Sequence, residues 1–259
     1  MKILLKISRK LFAIHGEFTF QENLERLVEA TKGIAGRAPK FQTNEEAFRC
    51  IRNAPGRAKA FLGSREYADL LEDPNARVAA VQDAIVMAAS IDNVNIWGRV
   101  IEYLITEEDV HRRDQIVQAL REGAPLPALK TEDRLGDYAK TYPGFRTQTD
   151  IKSKALFLDG NPKAYNIDKL LEFLASEQSV YMIYLLGITS DGKVTSRLCS
   201  VFDKRLLAAM TVTSLWVGRN SRGVAQFYGN ALAEILEDAP EGIIDLRQAE
   251  AFLDGLLAM

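Results

Sequence analysis

The chain is poor in the residues from which many enzyme sites are built. Its 259 residues include two histidines, His15 and His111, and two cysteines, Cys50 and Cys199. That leaves almost nothing for a zinc site of two or three His ligands, or for a Ser-His-Asp triad. The cysteines are far apart and outside any Cys-x-x-Cys spacing, which argues against a disulfide framework or a structural zinc site. No run approaches the roughly eighteen apolar residues that a membrane span needs. The mixed apolar and basic start, residues 1–16, lacks a signal-peptide core and a small-residue cleavage site. The chain is therefore expected to be cytoplasmic and to have no membrane contact. It has no repeat and no low-complexity segment.

What is present is ordinary in bulk. The chain is 47% hydrophobic and 26% charged with a mean hydropathy of −0.10, which describes a globular protein. The formal net charge of −2 excludes a polybasic protein, but it conceals an uneven distribution. Residues 32–65 hold eight basic residues against two acidic ones, a net of +6. Residues 193–222 hold six against one, a net of +5, and residues 223–259 hold one against seven, a net of −6.

Periodicity divides the chain into a mainly helical region, residues 1–90, and a mixed region, residues 91–259, expected to form one compact unit. In the first, Glu22 to Ala30 has helical apolar spacing, and Asn44 reads as an N-cap before two acids. Ser64 is placed to cap a helix from Arg65 to Leu71. Pro74 and Asn75 are expected to open a helix from Val78 to Ser90. Asn93 to Thr106 and Glu107 to Arg121 read as two more helices. Strands are expected over Arg134–Tyr142 and Phe145–Phe157, joined by Pro143-Gly144, with a helix from Tyr165 to Ser176. The apolar run Val180–Ile188 fits a strand buried on both faces, with a return strand Val194–Phe202. Leu206–Val217 reads as a short helix then a strand, and Val224–Glu237 and Leu246–Leu257 as helices. The expected class is α/β (α+β), with a mixed central sheet flanked by helices.

The chemistry-bearing residues lie in the hairpin. Asp150 and Lys152 alternate with Ile151, so they share one strand face. Asp is disfavoured inside a strand, so its place there calls for a reason. The turn brings Asp137 beside Asp150, and two close carboxylates repel unless a cation lies between them. Upstream, Glu102 sits on a helix among apolar Val100, Ile101, Leu104 and Ile105, with Gly98 one turn earlier on the same face. A second acid-x-Lys triplet, Asp191-Gly-Lys193, falls on a hairpin turn, where Asp-Gly has a conformational reason.

With Gly98-x-x-x-Glu102 in a helix, Asp137, and Asp150-Ile-Lys152, the sequence resembles the PD-(D/E)xK nuclease superfamily, Type II restriction endonucleases in particular. The resemblance covers about ninety-five residues, Asn93 to Ile188, and implies a restriction-endonuclease-like fold. It also implies Mg²⁺-dependent hydrolysis of double-stranded DNA at a short site. In that reading Asp137, Asp150 and the Ile151 backbone carbonyl hold Mg²⁺, and Lys152 positions the attacking water. Glu102 supports the metal through water or from behind its ligands. Two departures stand out. Gly136 precedes Asp137 where the superfamily's name has Pro, and residues 124–133 show no clear first strand.

Candidate DNA contacts are Lys154, Asn161, Lys163, Arg197, Arg219, Asn220 and Arg222, with Tyr165 and Asn166 beside them. Arg and Lys suit phosphates, and Arg and Asn suit base edges. Trp97 and Trp216 are expected in the core. A palindromic target suits a homodimer. The alternatives are a repair, recombination or modification-dependent nuclease of the same fold, or a non-catalytic DNA-binding protein.

Overall fold

The computed structural model describes residues 41, 44–90, 94–129, 136–158, 160–213, 223–237 and 242–258. The helix expected over Glu22–Ala30, Trp216, and the candidate contacts Arg219, Asn220 and Arg222 lie outside the described residues.

Helices come first: α1 (Glu45–Arg52), α2 (Ala54–Leu62), α3 (Arg65–Ala80), α4 (Gln82–Ala89), α5 (Val94–Thr106) and α6 (Val110–Glu122). Asn44 caps α1 as expected, its side chain accepting from Ala47 N at 3.1 Å. Two boundaries differ from the sequence reading. Pro74 does not open a helix; it lies buried inside α3, and the break falls at Val81. α2 fills a stretch that has no apolar period, and buries Ala54, Pro55, Ala58 and Phe61.

The remaining described elements are β1 (Tyr138–Tyr142), β2 (Phe145–Ala155), β3 (Lys163–Asn166), α7 (Ile167–Leu174), β4 (Ser179–Ile188), β5 (Val194–Ser200), α8 (Lys204–Ala208), β6 (Met210–Thr213), β7 (Val224–Phe227), α9 (Gly229–Glu237) and α10 (Leu246–Ala258). Strands β1-β2-β4-β5 form a mixed sheet in which only β2 and β4 run parallel. A second sheet has the order β3-β7-β6. The expected helix over Val224–Glu237 is therefore a strand followed by a helix. Four residues, Val-Ala-Gln-Phe, are too few to display a period, and pairing on both sides decides their conformation.

All ten residues of β4 are buried, as its unbroken apolar run requires. Strand alternation gives the sheet two unlike faces. Thr149, Ile151 and Tyr184 face the N-terminal helices; the Tyr184 hydroxyl donates to Asn75 Oδ1 of α3 at 2.7 Å. Asp150 and Lys152 share the other face with Tyr181, which stacks edge-on against Tyr165 of β3 and Phe173 of α7. α9 covers that face further along, where Leu236 lies so close that a Cβ on Gly187 would stand 2.8 Å from it. Trp97 is in the core at 4% exposure, and Cys50 and Cys199 are buried free thiols.

The hairpin β1–β2 closes at Pro143-Gly144 as expected. Residues 124–129 carry no strand, and residues 130–135 lie outside the described residues.

Candidate active site at the end of the hairpin

The register Tyr138↔Thr149 to Tyr142↔Phe145 ends one pair short of Asp137 and Asp150. Asp137 still donates its N–H to Thr149 O at 2.8 Å, but then the chain turns away. Gly136 takes φ 71°, a left-handed value that proline cannot adopt and that Gly takes without cost. A Cβ there would also come within 3.1 Å of Thr149 O. Gly at this position is thus required by the local bend. The Asp137 side chain takes the place of the missing strand partner, its Oδ2 accepting from Ile151 N at 2.6 Å. N–H and C=O of one residue leave a strand on the same side, so the Ile151 carbonyl also faces this opening.

Asp150 is 6% exposed. Its Oδ1 accepts from Lys152 Nζ at 2.6 Å, and its Oδ2 from the Tyr181 hydroxyl at 3.0 Å. Asp137 and Glu102 lie within reach of the same group of charges. Burial pushes the Asp150 carboxyl up to about 7; Lys152 opposes this and Asp137 adds to it. Burial also raises Asp137, to about 6, helped by a hydrogen bond shared with Glu102 and opposed by Lys152. Burial alone would lower Lys152, but Asp150, Asp137 and Glu102 outweigh it, and its pKa is raised. The lysine is held charged while the acids around it are crowded.

The structure therefore brings together four of the residues singled out from the sequence: Glu102, Asp137, Asp150 and Lys152. Glu102 comes from α5, which packs across β2. Gly98 is not needed for that approach, since a Cβ there would meet only Ser153 Oγ at 3.7 Å, an ordinary contact. Tyr181 was not singled out. Its signal was a phenol inside a buried apolar strand, where the hydroxyl must find a partner.

The candidate DNA contacts separate. Lys163 lies on β3 with its residue open to solvent, while partial burial of its ammonium lowers its pKa, with Lys152 adding to this and Asp150 opposing it. Asn161 is exposed, and its side chain accepts from Gly229 N at 3.0 Å, tying the loop after β2 to α9. Arg197 is half-buried on β5, opposite Leu185. Lys154 is only 8% exposed, and its ammonium donates to the Leu158 carbonyl. Tyr165 and Asn166 point inward: the Tyr165 hydroxyl donates to Met210 Sδ at 3.2 Å, and Asn166 caps α7 by accepting from Lys169 N at 3.0 Å. In the basic segment 32–65, Arg57 is spent on structure. It donates to the carbonyls of Cys50 at 2.7 Å, Leu174 at 3.1 Å and Ser179 at 3.2 Å.

Asp191 and Lys193 pair at 2.9 Å on an exposed turn, as their turn position implies. Among the described residues, no group of three or more His, Cys, Asp or Glu side chains is disposed to hold a metal ion. No protein-family model matches the chain and no curated protein does.

Proposed function

We propose that the chain is a Mg²⁺-dependent endonuclease that hydrolyses phosphodiester bonds of double-stranded DNA at a short specific site. It would act as a Type II restriction enzyme on a restriction-endonuclease-like core. One observation carries this reading: Asp137, Asp150, Lys152 and Glu102, from three separate segments, meet where β1 parts from β2. The mixed sheet with a helix-borne acid beside it supports the resemblance noted in the sequence.

The donor set suits Mg²⁺. That ion takes one or two carboxylates and fills its remaining positions with water and substrate phosphate. Asp137 and Asp150 supply the carboxylates and the Ile151 carbonyl a third oxygen, with Glu102 behind Asp137. Burial raises both aspartates, and a cation between them would offset that by favouring their charged forms. Bound there, Mg²⁺ supplies positive charge against the charge that develops on the phosphoryl oxygens.

In the hydrolysis, a water oxygen bonds to phosphorus, the bond to the leaving sugar oxygen breaks, and that oxygen takes up a proton. Lys152 is the residue to orient the attacking water. Its ammonium has three donors, one of which Asp150 holds in place. Tyr181 fixes the other Asp150 oxygen and so the direction in which that carboxylate faces. Lys163, near enough to the site for Asp150 and Lys152 to act on its charge, is a candidate for contact with a neighbouring phosphate. Two strands require two such sites, which favours a homodimer on a palindromic target.

The test is to incubate the protein with phage DNA in Mg²⁺ and in EDTA, alongside Asp150→Ala and Lys152→Ala. Discrete metal-dependent bands that vanish in both variants are expected. Cleavage at the wild-type rate by either variant would refute the site. A smear would make the enzyme nonspecific, and intact DNA across a panel that includes modified substrates would favour the non-catalytic alternative.

A further inference from the structure

Pro74 and Asn75, read from the sequence as the start of a helix, belong instead to a turn of α3 with an unusual concentration of long-range bonds. Asp73 accepts from the Tyr138 hydroxyl through Oδ2 and from Arg77 Nε through Oδ1, the latter at 3.0 Å. Arg77 donates in turn to the Ile105 carbonyl at 3.2 Å, and its guanidinium lies 5.8 Å from the Tyr138 ring centre. Asn75 Oδ1 accepts from Tyr184 of β4 at 2.7 Å and from Ser196 of β5 at 3.2 Å. Pro74 sits buried between them.

The partners are not arbitrary. Tyr138 follows Asp137 directly. The Ile105 carbonyl belongs to the last four of α5, which have no partner within the helix, and it lies three residues from Glu102. Arg77 therefore caps the turn that carries Glu102, while Asp73 holds the first residue of β1, which directly follows Asp137. The 3.0 Å ion pair joins the two anchors.

We infer that the Asp73–Arg77 pair is a positioning device that sets the distance between Glu102 and Asp137, and through it the geometry of the cation site. This rests on the nuclease reading above. Neither residue touches the reacting groups; both act through the elements they hold. A planar guanidinium can satisfy the carboxylate and the carbonyl together, which an ammonium at the same place cannot do with fixed geometry. Direct partners of metal ligands commonly change metal affinity or activity by roughly 10–100-fold when removed, and residues acting at one remove from such partners belong at the low end of that range.

A control lies on the same seam. Lys140 of β1 pairs with Asp69 of α3 at 2.7 Å, two residues along the strand and one helical turn back, and makes no bond to α5. The test compares Arg77→Ala, Arg77→Lys, Tyr138→Phe and Lys140→Ala in the full chain. Tyr138→Phe keeps the ring and removes only the hydroxyl, so it answers the question even if Arg77→Ala does not fold. Mg²⁺ binding is measured by calorimetry without DNA, and kcat and KM on plasmid DNA. Arg77→Ala and Tyr138→Phe are expected to weaken Mg²⁺ binding about tenfold and lower kcat with KM for DNA unchanged. Arg77→Lys should recover part of the loss, and Lys140→Ala should behave as wild type. Wild-type metal affinity and kcat in Arg77→Ala and Tyr138→Phe would overturn the inference, as would an equal defect in Lys140→Ala. A wild-type protein that neither binds Mg²⁺ nor cuts DNA would overturn the nuclease reading and this inference with it. Failure of the Arg77 and Tyr138 variants alone to respond leaves the nuclease reading standing.

Discussion

Asp150 offers the sharpest quantitative test, because its environment opposes its own charge. Burial and Asp137 raise its pKa from 3.8 to about 7. A group whose pKa is higher folded than unfolded stabilises the fold in its protonated form. Its contribution is complete below pH 3.8 and is lost as pH rises to about 7. The rise corresponds to at most about 4 kcal/mol, at 1.36 kcal/mol for each tenfold change in proton affinity. Asp150→Asn keeps an oxygen for Lys152 and removes the titration. In EDTA, the variant should gain on wild type by about 2.7 kcal/mol between pH 5 and pH 8, since only the titration from pH 5 to about 7 falls in that range, and this amounts to about 5 °C in melting temperature. Mg²⁺ should close the gap at pH 8, since only the wild type gains from binding it; saturation at one hundred times Kd is worth about 2.7 kcal/mol. Circular dichroism melts of both proteins, with EDTA and with Mg²⁺ at four pH values, measure this directly. Groups that titrate equally in both proteins cancel in the comparison. A melting-temperature difference that stays constant from pH 5 to pH 8 in EDTA would refute the argument that Asp150 is held above its ordinary pKa.

The same competition should appear in catalysis: with protons and Mg²⁺ sharing Asp137 and Asp150, the pH at which activity is half-maximal should fall as Mg²⁺ rises, and a midpoint independent of Mg²⁺ would count against these ligands. Tyr181→Phe removes one hydrogen bond to the charged Asp150 and should raise the Mg²⁺ concentration for half-maximal activity several-fold, with an unfolding cost of about 1–2 kcal/mol by urea titration. Gly136→Pro demands a φ near −65° where the chain takes 71°, and should cost more than about 3 kcal/mol in stability or abolish cleavage, whereas a wild-type melt would show that the bend is not required. Gly187→Ala places a Cβ 2.8 Å from Leu236 and Thr195, and should lower stability by about 1–3 kcal/mol without affecting Mg²⁺ binding.

The strands of the main sheet were legible in the sequence because their patterns are long. β4, ten residues buried throughout, contains the nine-residue apolar run Val180–Ile188, and the Pro143-Gly144 turn joins β1 to β2. That register then fixes Asp137 beside Asp150, so the centre of the site could be read before any coordinates. The second sheet could not be read this way. β3, β6 and β7 have four residues each, shorter than any period that separates a strand from a helix. Pro74 misled for a different reason. Proline suits a first helical turn, and only the packing of its neighbours against β1, α5, β4 and β5 places it inside a helix. Surface charge was the least legible feature. Arg57 and Lys154 look like DNA contacts by type, yet both spend their donors on backbone carbonyls, which depends on partners more than a hundred residues away for Arg57 and on a tight turn for Lys154.

β2 also shows why a chain of ordinary composition can hold a localised site. It is an interior strand, paired on both sides, yet its inner face carries Gln148, Asp150, Lys152 and Lys154 where a structural strand would carry apolar residues. Taking an aspartate out of water opposes folding unless partners replace the lost solvation. Lys152 and Tyr181 replace part of it, yet burial still leaves the Asp150 carboxyl raised, with Asp137 adding to the shift. An apolar pair at 150 and 152 would stabilise the sheet more simply. A charged pair kept at this point, with a second acid brought in by the neighbouring strand and a third by a helix, makes little sense as packing. It makes sense if a divalent cation meets the deficit, and on that reading the two bonds from the Asp73–Arg77 turn would help to set where the second and third acids stand.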